Sequence, residues 1–165
     1  MKEIKANEIK RNPFDMIGKD WMLISAEKDG KVNTMTASWG GVGFLWNKNI
    51  VYIFIRPQRY TKEFIDQSNT FSLSFFDETY RKTLSYLGSV SGKDEDKIEN
   101  AKLTVTHIEQ TPAFAEANRT IICKKIYEQT LDSSHFIDES LDQVNYPNKD
   151  YHIMYIGEIL KVLEK

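Results

Sequence analysis

Residues 21–41 read WMLISAEKDGKVNTMTASWGG and carry the strongest local folding signal in the chain. The apolar-rich run WMLISAE is followed by the pair Asp29-Gly30, which favours a two-residue hairpin turn. After the turn, hydroxyl-bearing residues recur at every second position as far as Ser38, which is the period of a β-strand. The stretch therefore predicts an antiparallel β-hairpin that runs into two adjacent glycines.

The second strand of this hairpin is predicted to have two chemically different faces. The hydroxyl face carries Thr34, Thr36 and Ser38, and the opposite face carries Met35, Ala37 and Trp39. Small hydroxyl side chains would let a planar ligand approach the backbone, and the glycines that follow add access. An ordinary solvated sheet edge has the same composition, so the residues alone leave both interpretations open.

The remainder of the sequence predicts a mainly β chain with short helices between some strands. Further strands are predicted at residues 50–56, 70–76, 103–109, 119–130 and 151–163. Helices are predicted from Thr61 as N-cap with Glu63 in the first turn, in a segment that stops at Gly88, and in one that starts at Asp94. Because regular strand and helix alternation is missing, a closed or partly closed antiparallel barrel fits better than a doubly wound sheet.

Length and composition limit the classes of protein to consider. The 165 residues are 41% hydrophobic and 28% charged, which fits a single domain spanning residues 1–165. A net charge of −2 argues against nucleic acid or an anionic membrane as a partner. The N-terminus lacks an apolar stretch of signal-peptide type, and the longest apolar runs are too short to span a bilayer. We therefore expect a cytoplasmic protein.

Two glycine-containing motifs resemble known catalytic signatures but lack a required residue. Gly41 and Gly43 have the spacing of a dinucleotide-binding loop, yet Trp46 stands where the third glycine belongs. The segment GSVSG at residues 88–92 has Val90 at the position where a nucleophile elbow needs serine. Neither a Rossmann domain nor a serine hydrolase is therefore expected.

Metal and thiol chemistry are not predicted either, and no catalytic residue can be named. The single cysteine, Cys123, excludes an internal disulfide and a multi-cysteine zinc cage, so packing is its expected role. The three histidines, at positions 107, 135 and 152, are far apart and have no second ligand at metal-binding spacing. We expect surface histidines or histidines hydrogen-bonded within strands, and no metal site.

Two further stretches have residues suited to binding an anion. RPQRYTKEF, residues 56–64, places Arg56 and Arg59 before the helix that is predicted to start at Thr61, where two guanidiniums and free backbone N–H groups suit phosphate. A capped surface helix with solvated arginines is the alternative. GSVSGKDEDK, residues 88–97, offers Ser89, Ser91, Gly92, Lys93 and Lys97 around another helix start. There Asp94 already complements the helix end, which favours simple capping.

Together these stretches resemble the flavin reductase-like family, in particular its flavoredoxin branch. The similar segments are NTMTASWGGVGFLWNK, RPQRYTKEFIDQSNTFSLSFF, GSVSGKDEDK and YHIMYIGEI, and the resemblance spans from about Asn12 to the C-terminus. It implies an FMN-binding split β-barrel with short helices that works as a homodimer, with the flavin at or near the subunit interface.

The resemblance also assigns candidate cofactor-binding residues in three groups. Those expected to hold the isoalloxazine ring and ribityl chain are Asn33, Thr34, Met35, Thr36, Ala37 and Ser38, with Trp39, Trp46 and Tyr60 shaping the ring pocket. Those expected at the phosphate are Arg56, Arg59, Tyr60 and Thr61, and the loop expected to close over the cofactor contributes Ser89, Ser91, Lys93 and Lys97. Members of this branch often carry a cysteine before the Asn-Thr-Met-Thr segment, whereas this chain has Val32.

A flavin supplies redox chemistry itself, which would explain why no catalytic triad or metal motif is present. The leading hypothesis is an oxidoreductase that transfers electrons from NADH or NADPH through FMN to a second acceptor. The alternative is an FMN-bearing electron-transfer protein that a protein partner reduces without nicotinamide turnover. A third hypothesis is a flavin-free barrel that binds another ligand.

Overall fold

Ten strands and five short α-helices make up the computed structural model, which describes residues 1–165. The strands are β1 (Lys2–Ile4), β2 (Met22–Lys28), β3 (Lys31–Ala37), β4 (Gly40–Leu45), β5 (Lys48–Ile55), β6 (Thr70–Phe75), β7 (Val105–Ile108), β8 (Thr111–Phe114), β9 (Arg119–Thr130) and β10 (Ile153–Glu164). The helices are α1 (Pro13–Asp15), α2 (Thr61–Gln67), α3 (Arg81–Ser89), α4 (Lys97–Asn100) and α5 (Glu139–Asn145). A π-helical turn covers Met16–Asp20, and 3-10 turns cover Ala6–Glu8, Glu78–Tyr80 and Ser133–His135. No helix is long and apolar enough to cross a bilayer.

The predicted hairpin is present as β2 and β3. Lys28 pairs with Lys31, so Asp29 and Gly30 alone form the turn, with φ angles of 51° and 74°. Two consecutive positive φ values characterise the type I′ turn, whose twist matches the twist of the flanking strands. The turn therefore fixes the register in which Ser25 lies opposite Thr34.

The sheet confirms the predicted split antiparallel barrel. Eight strands form one antiparallel sheet in the order β3-β2-β6-β9-β10-β5-β4, with β1 added beside β10, and β7 and β8 form a separate pair. The first core fills the barrel interior and includes Ile24, Ile53, Phe71, Leu73 and Tyr155. A second core, which includes Leu23, Leu84, Leu87, Ile98 and Phe114, lies between the outside of β2 and the layer formed by α3, α4 and β8.

This second layer explains why a strand with alternating hydroxyls need not face water. Along β6, Phe71 and Leu73 enter the barrel core, while Ser72 and Ser74 point outward and are nevertheless fully buried. The Ser72 hydroxyl donates to the carbonyl of Pro112 in β8, at 2.5 Å. Period-two alternation identifies the two faces of a strand but not what covers each face.

Five strands and helices were missed by the sequence analysis: β1, β4, β8, α1 and α5. In β4 the glycines hide the strand pattern, although they are needed there. A Cβ on Gly40, whose φ is 147°, would lie 2.5 Å from the carbonyl oxygen of Tyr52 on β5. The β4–β5 turn consists of Trp46 and Asn47, both with positive φ and neither of them glycine.

Two predicted helix starts were wrong. Thr61 is the first residue of α2 and not its N-cap, and its buried hydroxyl accepts a hydrogen bond from Asn33 Nδ2 at 2.9 Å. Helix α4 begins at Lys97 and not at Asp94, because the Asp96 carboxylate accepts from the Glu99 N–H at 3.1 Å and caps it. Helix α3 ends at Ser89, one residue beyond the predicted stop.

Candidate functional site

Two adjoining cavities lie where β3, the start of α2 and the end of α3 meet. The polar cavity has a volume of about 210 Å³ and is lined by Asn33, Gln58, Arg59, Tyr60, Thr61, Ser89, Val90, Ser91, Gly92 and Lys97. The strand groove has a volume of about 310 Å³ and is lined by Trp21, Thr36, Ala37, Ser38, Leu84, Ser85, Gly88 and Ser89. Ser89 lines both, so the two cavities are neighbours and together make up the candidate site.

The polar cavity contains two cationic side chains that are not paired with carboxylates. Arg59 Nη1 donates to the carbonyl of Gly88 at 2.8 Å. Lys97 is only 3% exposed, and its Nζ donates to the carbonyls of Leu87 and Val90 at 2.9 and 3.0 Å. Neither cation therefore has a carboxylate in direct contact, which is unusual for the buried Lys97 because buried charges are ordinarily paired.

Burial shifts the pKa values of both Lys97 and Arg59. Burial, and next the positive charge of Arg59, lower the pKa of Lys97 from 10.5 to about 8, although Glu95 acts in the opposite direction. Burial alone lowers the pKa of Arg59. Both shifts mean that the surroundings disfavour the charged form. A bound anion would relieve both penalties at once.

The start of α2 contributes less to anion binding than the sequence analysis expected. The backbone N–H of Lys62 already donates to the Arg59 carbonyl at 2.9 Å, and that of Glu63 donates to the Tyr60 carbonyl at 3.1 Å. Free helical N–H groups are the basis of an N-terminal anion site. The anion-binding character of the polar cavity therefore rests mainly on its side-chain cations.

The hydroxyls of β3 differ in what they contact. Thr34 is fully buried, and its hydroxyl bonds to Ser25 Oγ at 2.8 Å and to the Ile24 carbonyl at 3.0 Å. Thr36 Oγ1 donates to the Leu84 carbonyl of α3 at 2.5 Å. Only Ser38 keeps a hydroxyl without an intramolecular partner, and it lines the strand groove.

The apolar face of β3 is also divided between core and site. Met35 packs in the barrel core, whereas Ala37 packs against that core and lines the strand groove as well. Trp39 and Trp46 line neither cavity. Trp39 lies instead against His152, with ring centroids 5.1 Å apart.

Two cations assigned to the cofactor by resemblance lie elsewhere. Arg56 Nη1 contacts Asp150 Oδ2 at 2.5 Å, and its guanidinium lies 5.2 Å above the ring of Tyr146. Lys93 pairs with Glu63, with Nζ 2.7 Å from Oε1. The structure therefore brings Arg59 and Lys97 together in the polar cavity, but not Arg56 or the ammonium of Lys93.

Six lining residues were not named as site residues by the sequence analysis: Trp21, Gln58, Leu84, Ser85, Gly88 and Val90. Gln58 lies between the two arginines of a stretch that was singled out, so its position was available as a signal. Leu84 and Ser85 belong to α3, and no local pattern indicates that this helix packs on β3. Their role depends on a contact between residues 48 positions apart, from Thr36 to Leu84.

The histidines and the cysteine lie outside this site. His152 is buried and bonds through Nδ1 to the Tyr146 hydroxyl at 2.8 Å, and burial together with Arg56 lowers its pKa to about 4. Cys123 is fully buried in the barrel core, which raises the pKa of its thiol, so its predicted packing role is confirmed. No three His, Cys, Asp or Glu side chains lie close enough to hold a metal ion.

Comparison with known proteins gives one family and one fold. The model of the flavin reductase like domain matches residues 16–165. An FMN-binding domain of a flavin reductases-like enzyme from Shewanella baltica superposes with a TM-score of 0.70 at 19% identity, covering 98% of this chain and 75% of that chain. Flavoredoxin of Desulfovibrio vulgaris superposes with a TM-score of 0.69 at 23% identity, covering 100% and 77%.

A third similar structure is more distant in sequence. The NADH:FAD oxidoreductase SgcE6 of Streptomyces globisporus superposes with a TM-score of 0.68 at 13% identity, covering 88% of this chain and 75% of that chain. No curated protein matches the sequence. At these identities the structural likeness establishes the fold, while the family match extends over nearly the whole chain.

The lowered pKa of Lys97 predicts how the stability of the ligand-free protein depends on pH. Between about pH 8 and 10.5 the unfolded chain holds the Lys97 proton and the folded chain does not. The free energy of unfolding should therefore rise with pH in this window, relative to the variant Lys97→Met. Urea unfolding of both proteins at pH 7, 8, 9 and 10 measures the difference in their free energies of unfolding. A difference that does not change with pH would contradict the lowered pKa of Lys97.

Proposed function

Because the chain belongs to the flavin reductase like domain family, we propose that it binds FMN and works as an oxidoreductase that transfers electrons from NADH or NADPH to a second acceptor. When bound, FMN supplies the redox chemistry, and the protein binds and orients it. The observation that carries the proposal is the pair of cations without carboxylate partners, the half-buried Arg59 and the buried Lys97.

The polar cavity fits a phosphate monoester. A phosphate of this kind has about −1.5 to −2 charges at neutral pH and three strong acceptor oxygens. The guanidinium of Arg59 and the ammonium of Lys97 can both donate to such oxygens, and charge-assisted hydrogen bonds are roughly twice as strong as neutral ones. The hydroxyl of Ser91, which lines the same cavity and accepts from the Lys93 N–H at 3.2 Å, keeps its own proton free as a further donor. The hydroxyl of Ser89 already donates to the Tyr86 carbonyl at 2.9 Å.

The strand groove suits a planar ring next to this phosphate. Ala37, Ser38 and Gly88 present small side chains, so a ring can approach the backbone closely. Helix α3 already lies close to β3, since a Cβ on Gly88 would be 3.2 Å from Thr36 Cβ. Ser38 has a free hydroxyl, and Trp21 provides an aromatic wall. In this proposal β3 orients the ring and the polar cavity holds the other end of the cofactor.

The alternative is an FMN-bearing electron-transfer protein that a protein partner reduces. Structures named as flavoredoxins are similar to this chain over its whole length, as are structures named as flavin reductases over most of it. Neither cavity contains a group that separates the two functions. Identifying the electron donor is therefore the way to distinguish the two functions.

The proposed phosphate site predicts the effect of removing Arg59. Replacing Arg59 with alanine should remove a charge-assisted bond worth roughly 1.5–3 kcal/mol and weaken FMN binding by about tenfold to a hundredfold. Riboflavin lacks the phosphate, so it should bind Arg59→Ala about as well as it binds the parent. Titration of both flavins into the apo proteins measures the two affinities.

Arg56→Ala is the matched control, because Arg56 lies in the same stretch but is bonded to Asp150 outside the polar cavity. It should leave the preference for FMN over riboflavin unchanged. Equal weakening of FMN and riboflavin in Arg59→Ala would show that Arg59 supports the pocket and does not contact the phosphate. A parent protein that binds no FMN would overturn the proposed function itself.

The second prediction concerns the electron donor. Under anaerobic conditions, NADH or NADPH should bleach the flavin absorbance of the FMN-loaded protein within the time of a stopped-flow measurement. Free FMN at the same concentration and with the same nicotinamide is the control. Bleaching that occurs only after a donor protein is added would favour the electron-transfer alternative.

We also propose that the protein forms a homodimer through the edge strand β4 and its surroundings. This edge exposes large apolar side chains, with Trp39 47%, Phe44 70% and Trp46 55% exposed. Exposed apolar residues on an unpaired edge strand are characteristic of an interface. A two-fold pairing would cover this edge on both copies.

The proposed dimer predicts the effect of a charge at Phe44. Replacing Phe44 with lysine should shift the protein from dimer to monomer at micromolar concentration, because it places a charge in the apolar edge. Sedimentation velocity measures the change. Lys82→Gln, on the outer surface of α3, is the control, and a parent that sediments as a monomer at all concentrations would contradict the dimer.

A further inference from the structure

The segment from Val90 to Asp96, here called the cover loop, joins α3 to α4 and lines one side of the polar cavity. Its Lys93 reaches across to the opposite side, where Nζ lies 2.7 Å from Oε1 of Glu63 on α2. On the way it passes over the ring of Tyr60, with Nζ 4.9 Å from the centroid. An ion pair therefore links the cover loop to α2, and both of these segments contribute residues to the lining of the cavity.

A second contact holds the cover loop against β3. A Cβ placed on Gly92 would lie 2.2 Å from Oδ1 of Asn33, so no other residue fits there without displacement. The Asn33 carboxamide cannot easily give way, because its Nδ2 donates to Thr61 Oγ1 at 2.9 Å and the residue is buried. The close approach of Gly92 therefore depends on the absence of a side chain.

The charges around the Glu63–Lys93 ion pair favour a role for Lys93 other than phosphate binding. The hydrogen bond and charge of Lys93 lower the pKa of Glu63, so this carboxylate is ionised at neutral pH and neutralises Lys93. Lys28 lies on the far side of the same carboxylate, at 3.9 Å. Arg59 and Lys97, by contrast, are free of carboxylates within the cavity.

We propose that the Glu63–Lys93 ion pair, together with the contact of Gly92 on Asn33, holds the cover loop closed over the polar cavity and slows the release of FMN. This proposal rests on the proposed function. It assigns Lys93 as a positioning residue that acts through Glu63, and it makes FMN a retained prosthetic group whose exchange requires the ion pair to open.

The test measures the rate at which FMN leaves the loaded protein, with an excess of a tightly binding apoflavoprotein as the trap. Glu63→Gln should accelerate release by roughly threefold to tenfold at low salt, as expected for an exposed ion pair with a cation–π contact. Added salt also weakens the contact of the phosphate with its cations in both proteins, so release from the parent should accelerate more steeply with salt than release from Glu63→Gln. Lys62→Gln is the matched control, since it removes an exposed ion pair with Asp66 within the same helix.

Exchanging the charges of Glu63 and Lys93 distinguishes a role of Lys93 through Glu63 from direct contact of Lys93 with the phosphate. If Lys93 acts through Glu63, the double variant Glu63→Lys with Lys93→Glu should return release close to the parent rate, while each single change accelerates it. If Lys93 contacts the phosphate, Glu63→Gln should free it and slow release, and the exchange should not restore the parent rate. Gly92→Ala should also accelerate release, because the added Cβ would meet Asn33 Oδ1 and displace the cover loop.

The outcomes distinguish failure of this proposal from failure of the proposed function. A parent that binds FMN, with Glu63→Gln releasing it at the parent rate, would overturn the role of the ion pair alone. Slower release from Glu63→Gln would also overturn it, in favour of direct contact with phosphate. A parent that binds no FMN would overturn both proposals.

Discussion

The hydrogen bond from Thr36 Oγ1 to the carbonyl of Leu84 joins the edge strand β3 to α3, and the candidate site depends on this contact. It holds the helix so close to the strand that Gly88 is in contact with Thr36. The end of α3 then presents the carbonyls of Leu87 and Gly88 to Lys97 and Arg59. One contact between strand and helix thus forms the strand groove and positions the acceptors of the polar cavity.

The polar cavity departs from the usual rule that buried charges are paired. Arg59 and Lys97 repel each other, and the pKa of Lys97 falls because burial and this repulsion both disfavour its ammonium form. Elsewhere the chain pairs its cations conventionally, as in Arg56 with Asp150 and Lys93 with Glu63. Positions at which a protein breaks such a rule without local compensation are where binding sites are expected. This contrast within one chain is the physical support for an anion site.

The two faces of the sheet illustrate why a polar strand is ambiguous. Ser72 in β6 and Thr34 in β3 have the same alternating pattern as Ser38, yet both are buried and bonded within the protein. Ser38 differs because it lies one residue beyond the end of β3 and lines the groove. Position along the strand, and not alternation, decides which hydroxyl is available to a ligand.

Local patterns in the sequence determined the β class and the β2–β3 hairpin with its two-residue turn, because turn chemistry and period-two alternation act over short distances. The resemblance of four separate stretches indicated the family, which the match over residues 16–165 shows. The tertiary structure alone decided which cation enters the polar cavity, since Arg56 is drawn to Asp150, 94 residues away. It also decided that Lys93 pairs with Glu63 and that α3 covers Thr36. Contacts of this kind depend on the packing of distant segments. A periodic pattern within one segment does not indicate which other segment packs against it.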